Sequence, residues 1–173
     1  IRDINGDQNK DLLITGLAEN DNRTATVYLG DGQGNFEAAG AGLTGDFFGA
    51  SISVGDVDED GNPDVLIAGG VSKSATLYLG DGQGGFEEAE ANLTGVGFGG
   101  STSIGDIDGD QNKDLLIAGR ARGGQSATLY LGNGQGGFEE ANAGLTGVGF
   151  NSSVLIGDLQ GDGDQDLVVT GPG

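Results

Sequence analysis

The sequence contains no cysteine, histidine, methionine or tryptophan, and proline occurs only 2 times in 173 residues. Without cysteine, the chain cannot build a disulfide scaffold, a cysteine-ligated zinc site or an iron–sulfur cluster. Without histidine, it lacks the commonest general base and the usual ligand of transition metals, which argues against most hydrolytic chemistry. No apolar run approaches the roughly 18 residues that a membrane-spanning helix needs, so we expect no membrane span.

Basic residues are also scarce. The sequence has 7 Lys and Arg and 27 Asp and Glu, which gives a net charge of −20. Such an excess argues strongly against a nucleic-acid partner held by phosphate contacts. Metal-binding loops and an acidic surface of the kind that halophiles use are two explanations for it. Four Asp-rich loops contain most of the acidic residues, which favours metal loops and leaves a salt-adapted surface open for the remainder. The sequence starts at Ile1 without Met and we expect no signal peptide in it, so that the chain is a mature form, a fragment or a trimmed chain.

The Asp-rich loops recur along the chain. Segments 2–16, 55–69, 105–119 and 157–171 align with one another, and their first aspartates are Asp3, Asp56, Asp106 and Asp158. A period of about fifty residues predicts the blades of a propeller or a related array. We therefore expect one propeller segment over 1–173, with units at about 3–55, 56–105 and 106–157 and a partial unit at 158–173.

The third loop illustrates the chemistry. Asp106, Asp108, Asp110 and Asp114 occupy positions one, three, five and nine, and Asn112 occupies position seven. Alternate residues of a tight loop can point inward together, and carboxylates that converge repel one another unless a cation lies between them. Ca²⁺ prefers roughly 6–8 hard oxygen ligands, whereas Mg²⁺ requires a near-octahedral shell with retained waters. The pattern therefore predicts calcium.

Side chains at positions one, three, five and nine and the backbone carbonyl of position seven are the predicted ligands. The residues at these positions are Asp3, Asn5, Asp7, Asn9, Asp11, Asp56, Asp58, Asp60, Asn62, Asp64, Asp106, Asp108, Asp110, Asn112, Asp114, Asp158, Gln160, Asp162, Asp164 and Asp166. Solvated turns are the alternative for any one loop, but four loops in register favour metal. These loops are not EF-hands, because position twelve is Ile or Val instead of Glu.

Up to four calcium ions are expected, one in each loop. Loops 56–64 and 106–114 have a carboxylate at all four side-chain positions, whereas the outer loops have Asn5 and Gln160 at position three. Fewer charges weaken calcium binding. The two middle loops are therefore the stronger candidates.

The segments between the loops predict an all-β fold. The segments 51–55, 101–105 and 153–157 alternate polar and β-branched residues, and a continuous apolar run follows each loop. The segments 24–30, 74–80 and 126–132 alternate again, and each leads through a Gly-rich hairpin turn to a short last strand. Four antiparallel strands per unit make a propeller blade. Tyrosines and phenylalanines at matching positions are expected to pack between blades; they are Tyr28, Tyr78, Tyr130, Phe36, Phe86 and Phe138.

The chain resembles FG-GAP repeats, which include bacterial VCBS-type repeats and the propeller of integrin α subunits. The resemblance rests on Phe98-Gly99, with Phe48-Gly49, before the first strand, on the D-x-D-x-D-x-x-x-D loop, on LLIAG, and on LYLGDGQGGF. It extends over essentially the whole chain. It implies that calcium binds in the hairpin between strands one and two, on the face opposite to the one that integrins use for ligand.

The predicted strands do not complete a ring. We count three first, four second, three third and three fourth strands, whereas propellers close with about 4–8 blades. We therefore expect about three blades and a partial blade per chain, with the ring completed by oligomerisation or by further blades of a longer propeller. A dimer would supply six or seven blades.

These features predict an extracellular or cell-surface scaffold for protein binding or adhesion, and not an enzyme. The loops between the second and third strands differ most between units, at 17–23, 70–74 and 120–126, and Arg120 and Arg122 place positive charge there. Unrestrained drift is the alternative explanation of that variation. A lectin-like propeller that binds carbohydrate, and an engineered or recently duplicated repeat protein without a ligand, remain alternative functions.

Overall fold

The computed structural model describes residues 1–17, 23–43 and 49–172, and within them the regular elements are antiparallel strands. In chain order they are β1 (Leu12–Leu17), β2 (Arg23–Gly30), β3 (Phe36–Ala39), β4 (Ala50–Gly55), β5 (Asp64–Gly69), β6 (Ser74–Gly80), β7 (Phe86–Glu88), β8 (Ser101–Gly105), β9 (Asp114–Ala121), β10 (Gly124–Gly132), β11 (Phe138–Ala141), β12 (Ser153–Gly157) and β13 (Asp166–Thr170). Among the described residues, no helix is long and apolar enough to cross a membrane.

The strands form four sheets whose order follows the chain. The sheets are β1-β2-β3, β4-β5-β6-β7, β8-β9-β10-β11 and β12-β13, here called blades 1 to 4. Each is an antiparallel meander, so the predicted all-β propeller blade is confirmed. Blades 2 and 3 have four strands, whereas blade 1 lacks its first strand and blade 4 has only its first two. In blade 1 a single bridge between Arg2 and Asp11 stands where the first strand would pair. The described strands therefore form a partial propeller.

The second strand of each complete blade is covered on both faces, as its continuous apolar sequence predicts. Every residue of β5 is buried. Val65 and Ile67 pack toward blade 1, in a cluster with Tyr78, Ala25 and Leu13. Side chains alternate across a strand. The residues between them therefore face the other way, toward blade 3.

The hydrophobic core is a series of layers between blades. Leu66, Ala68 and Leu77 of blade 2 pack against Leu115, Ile117 and Tyr130 of blade 3. Leu116 and Ala118 of blade 3 pack in the same way against Val154 of blade 4, with Leu167 and Val169 beside it. Tyr78 and Tyr130 are buried, which confirms the predicted packing role at those two positions. Each blade thus has one apolar face for the blade before it and one for the blade after it.

Hydroxyl groups connect the first strands of neighbouring blades. The Thr102 hydroxyl lies 3.2 Å from that of Ser51 and 2.9 Å from that of Ser53, and the Thr102 amide donates to Ser51 Oγ. Between blades 3 and 4, the amides of Val154 and Ile156 donate to the hydroxyls of Ser101 and Ser103. These bonds satisfy backbone donors that the edge of a first strand would otherwise leave open.

Candidate metal centres

The Asp-rich loops lie where the resemblance implies, between the first and second strands. Loops 56–64, 106–114 and 158–166 each follow the glycine that ends a first strand, and each ends at the first residue of a second strand. Asp64, Asp114 and Asp166 therefore pair with Gly55, Gly105 and Gly157 across the two strands. Loop 3–11 leads into β1 in the same way. The first and second strands thus hold both ends of loops 56–64, 106–114 and 158–166.

The structure brings three carboxylates together in each middle loop. Asp56, Asp58 and Asp64 place one oxygen each within 4.8 Å of one another. Asp106, Asp108 and Asp114 form the matching group in the next blade. Within the described part of the chain, these are the two places where three acidic groups converge so closely. They correspond to positions one, three and nine of the predicted ligand set.

The ninth-position aspartate is the buried anchor of the first three loops. Asp64 accepts hydrogen bonds from the Val57 amide at 2.7 Å and from the Gly80 amide at 2.9 Å. Asp114 accepts the same pair of bonds from Ile107 and Gly132, and Asp11 accepts them from Ile4 and Gly30. One carboxylate thus connects its own loop to the end of the third strand. Asp166 has no third strand beside it, and its second bond comes from the Gln160 side chain.

The first-position aspartate differs between the middle loops. Asp106 accepts from the amides of Gly109 and Gln111, one on each carboxylate oxygen. Asp56 accepts from the Gly61 amide through Oδ2. Its Oδ1 is buried and, among the described residues, is the one buried side-chain oxygen that no hydrogen bond reaches. An ionised oxygen buried without a donor is costly unless a cation or water serves it.

Positions five and seven are hydrogen-bonded to each other, beside the groups of three carboxylates. Asp60 accepts from both the backbone and the side-chain amide of Asn62, and Asp110 accepts both bonds from Asn112. In the first loop, the Asn9 amide donates to Asp7. The fifth-position carboxylates lie on the exposed side of their loops.

The outer loops keep the turn but lack the three-carboxylate group. Asp3 accepts from the amides of Gly6 and Gln8, as Asp158 does from Gly161 and Gly163. Position three holds Asn5, whose amide donates to Asp7, or Gln160, which binds Asp166. The remaining predicted ligands of the fourth loop, Asp162 and Asp164, are exposed, and the Asp164 amide donates to Asp162.

The pKa values of these carboxyls follow their surroundings. Burial raises the pKa of Asp64 from 3.8 to about 6, and it also raises the pKa of Asp114. The pKa of Asp58 is raised by burial first and by the charges of Asp60 and Asp56. In the outer loops, backbone amides lower the pKa of Asp7 and of Asp158. Ionising the buried carboxyls of the middle loops therefore costs free energy, and a bound cation would lower that cost.

The glycine at the end of each third strand completes the site, and sequence reasoning treated it only as part of a turn. A Cβ on Gly80 would overlap the carbonyl oxygen of Pro63, and one on Gly132 would overlap that of Lys113. These glycines let the third strand approach the loop closely enough for their amides to reach the ninth-position aspartate. This glycine recurs as the last residue of the YLG segment in the first three units, but its role depends on a contact between the third strand and a loop distant in sequence.

Comparison with known proteins agrees with this arrangement. The family model described as FG-GAP-like repeat matches residues 3–67, 56–117 and 106–169. The chain belongs to this family. Each match of the FG-GAP-like repeat begins at the first aspartate of a loop and ends in the second strand of the next unit. No curated protein sequence matches the chain.

Among solved structures, the FG-GAP-like chain is similar to a lectin from Agrocybe aegerita, with a TM-score of 0.54 and 19% sequence identity. That lectin is described as specifically recognising non-reducing terminal N-acetylglucosamine. The match covers 94% of this chain and 46% of the lectin chain. The similarity supports the propeller fold, and this chain spans a little under half of the lectin's length.

The residues of the middle loops fit a metal ion. The buried Asp56 Oδ1 has no donor, and three carboxylates converge in each loop. A carboxylate oxygen that already accepts one amide keeps a second lone pair, so the bonds made by Asp64 leave it able to ligate. An all-oxygen donor set without sulfur or imidazole suits hard cations such as Ca²⁺.

Proposed function

We propose that this FG-GAP-like chain is a calcium-stabilised propeller segment that serves as an extracellular binding or adhesion scaffold. The observation that carries the calcium part is the convergence of Asp56, Asp58 and Asp64, together with the buried Asp56 Oδ1 that has no donor. The family supports it, because FG-GAP repeats are generally calcium-binding. The equivalent group in the next loop, Asp106, Asp108 and Asp114, makes a second site.

Calcium in these loops would act on stability. Asp56 and Asp58 come from the loop, whereas Asp64 begins β5 and is bonded to the third strand through Gly80. An ion held by all three therefore joins the loop to the rest of the blade. Because the unfolded chain does not present this arrangement, binding stabilises the folded state. A weak site suffices where calcium is plentiful, since extracellular modules bind it with Kd of about 10⁻⁴–10⁻³ M.

Titration calorimetry tests the assignment of the sites. We expect two stronger calcium sites in the unaltered chain and one in either Asp56→Asn/Asp58→Asn or Asp106→Asn/Asp108→Asn. Glu87→Gln/Glu88→Gln removes the same charge from the exposed residues of β7 and serves as the control. If either loop variant keeps both sites, or if the unaltered chain binds no calcium, the assignment is wrong.

The binding role is proposed for the rim opposite the Asp-rich loops. Asp114 begins β9, and Arg120 lies near its other end. Arg120 and Arg122 are both exposed in a chain of net charge −20, which suits an acidic group on a protein or glycan partner. The corresponding turn of blade 2 differs, because Lys73 there donates to the Ala121 carbonyl. The equivalent loop of blade 1 lies largely outside the described residues, at 18–22.

A carbohydrate ligand is the second candidate, because one cavity on this rim has suitable chemistry. It measures about 430 Å³ and is lined by Arg120, Gly124, Gln125, Gly149, Phe150 and Pro172. The Arg120 guanidinium carbon lies 5.1 Å from the centre of the Phe150 ring, which is 43% exposed. An exposed ring beside polar side chains can stack on a sugar and bind its hydroxyls. The similar lectin makes terminal N-acetylglucosamine the first sugar to test.

A glycan array followed by Phe150→Ala tests this candidate. The sugar-binding proposal predicts that a glycan retained by the chain is lost in Phe150→Ala and kept in Phe98→Ala, which alters the matching ring one unit earlier. An array without signal eliminates the carbohydrate candidate. If no protein ligand is captured either, the alternative of a duplicated or engineered repeat protein without a ligand is favoured.

Two further parts of the proposal concern catalysis and assembly. We assign no reaction to the chain, because the carboxylates that converge are the ones that would ligate the ion, and histidine is absent from the sequence.

We also propose that copies of the chain combine into a closed ring. Blades 1 and 4 are both incomplete, and an open propeller leaves sheet faces and edges in water.

A further inference from the structure

The first blade exposes a face that is buried in the complete blades. Leu12, Ile14, Tyr28 and Phe36, here called the leading face, correspond to Val65, Ile67, Tyr78 and Phe86 of blade 2. Ile67 is 1% exposed and its blade 3 counterpart Ile117 is also 1% exposed, whereas Ile14 is 52% exposed. Phe36 is 46% exposed, and Phe86 packs against the core of blade 1. The leading face is therefore a blade-packing surface with no described residues covering it.

The last blade exposes the opposite face of the same contact. Leu155, Leu159, Val168 and Thr170, here called the trailing face, correspond to Ser53, Val57, Leu66 and Ala68 of blade 2. The blade 2 residues Val57, Leu66 and Ala68 are fully buried against blade 3. In contrast, Leu155 is 52% exposed and Leu159 is 58% exposed. The two ends of the chain thus present the two halves of one interior contact.

Burial at the second position of the Asp-rich loops follows the presence of a later blade. Ile4 and Val57, which are followed by complete blades, are 2% and 0% exposed. Ile107, followed by the two-stranded blade 4, is half-buried. Leu159, followed by no described blade, is the most exposed. The sequence keeps an aliphatic residue at all four positions, although only the first two are fully covered.

The contacts of the Gly-rich hairpins also depend on a neighbouring blade, which for them is the preceding one. In blade 3, an added Cβ on Gly136 would contact Asp58 and Leu79 of blade 2, and one on Gly84 of blade 2 would contact Leu29 of blade 1. The same construction on Gly34 of blade 1 meets no atom of the described residues within 4 Å. Each hairpin therefore packs on the blade before it, and hairpin 31–35 is free to do so.

We propose that a second copy of this chain docks its leading face on the trailing face of the first, repeating the interior blade contact head to tail. Hairpin 31–35 of the second copy would then lie beside Gln160, the counterpart of the Asp58 that hairpin 133–137 approaches. The inference rests on the proposed ring assembly and not on calcium binding. The second copy is the chosen occupant because the contact continues the blade interface with matching apolar or aromatic residues on the whole leading face and at Leu159 and Val168, and because one copy spans 46% of the length of the similar lectin.

Leu155 supports this direction of docking. At its position, blades 2 and 3 have Ser53 and Ser103, and Ser103 Oγ accepts a hydrogen bond from the Ile156 amide of the following first strand. Among the described residues blade 1 has no first strand, so the docked leading face presents no such amide. An apolar side chain is then the better partner than a hydroxyl, which would be buried without a bond.

Solution mass measured by analytical ultracentrifugation in millimolar calcium tests the proposal. We expect the unaltered chain to associate, and Ile14→Glu and Leu155→Glu each to weaken association at least tenfold. Val71→Glu, at an apolar residue that is 48% exposed in the blade 2 turn, should leave it unchanged. Circular dichroism establishes that each variant is folded.

Mixing the two variants is the decisive step. A head-to-tail contact predicts that Ile14→Glu and Leu155→Glu, each monomeric alone, form a pair when mixed, because one intact contact remains between them. Association of Leu155→Glu alone would overturn the proposal in favour of pairing between leading faces. A monomeric unaltered chain would also overturn it. Calorimetry on the same samples separates this failure from a failure of calcium binding.

Discussion

The Asp64 carboxylate accepts a hydrogen bond from the Gly80 amide, with 2.9 Å between the Gly80 nitrogen and Asp64 Oδ1, and this bond joins the loop that precedes β5 to the end of β6. The other oxygen of Asp64 accepts the Val57 amide, so one buried side chain holds three parts of the blade together. The same relationship recurs between Asp114 and Gly132 and between Asp11 and Gly30. The ninth residue of the loop is thus part of the fold before any ion is considered.

Asp64→Asn should destabilise the chain by about 1–3 kcal/mol without calcium at pH 4, where burial keeps Asp64 neutral, because an amide group cannot accept both backbone donors and leaves at least one unsatisfied. Asp166→Asn is the matched control, since its second bond comes from the Gln160 side chain and it is only half-buried. Urea unfolding in EDTA measures both free energies. Equal losses in the two variants would contradict the anchoring role of Asp64.

Gly80→Ala should destabilise the chain by about 1–3 kcal/mol, because the new methyl group overlaps the Pro63 carbonyl oxygen and forces β6 away from the loop. Gly16→Ala provides the comparison, as a Cβ there meets none of the described atoms within 4 Å. Thermal unfolding of the two variants distinguishes them. A nearly unchanged melting temperature for Gly80→Ala would mean that the close approach is not required.

Thr102→Val should lower the free energy of unfolding by about 1–2 kcal/mol. The isosteric change removes a buried hydroxyl that lies within hydrogen-bonding distance of the Ser51 and Ser53 hydroxyls across the blade boundary. Thr128→Val removes a hydroxyl that contacts Ser126 of its own strand, and we expect a smaller effect. Chemical unfolding of both variants checks the difference. If Thr128→Val is the more harmful change, the hydroxyl contacts do not stabilise the stacking of the first strands.

The pH dependence of stability in EDTA should reflect Asp64. Its folded pKa of about 6 lies above the ordinary 3.8, so the fold favours the neutral acid. The resulting stabilisation is complete below about pH 4 and is lost as the pH rises through 6, by up to about 3 kcal/mol. The slope of unfolding free energy against pH should become shallower in Asp64→Asn and stay unchanged in Glu88→Gln, a change at an exposed residue of β7. Identical slopes in all three proteins would refute the assignment.

The sequence predicted the parts of this protein that a single segment determines. The apolar run after each loop identified the second strands, and the spacing of Asp56, Asp58 and Asp64 identified the groups that converge. Contacts between segments were not visible in the same way. The bond from Gly80 to Asp64 and the hydroxyl contact of Thr102 depend on which strands become neighbours. The role of position five as a ligand stays a prediction, and the hydrogen bonds from Asn62 to Asp60 are a local turn contact.

The central claim is that calcium in the two middle loops stabilises the folded propeller segment, and thermal unfolding in excess calcium and in EDTA tests it most directly. At a free calcium concentration 100 times Kd, each site adds about 2.7 kcal/mol, which corresponds to roughly 5–10 °C per site for a chain of this size. The melting temperature should therefore fall clearly in EDTA, and Asp56→Asn/Asp106→Asn should show little response to calcium. The same melting temperature in calcium and in EDTA for the unaltered chain would contradict the account.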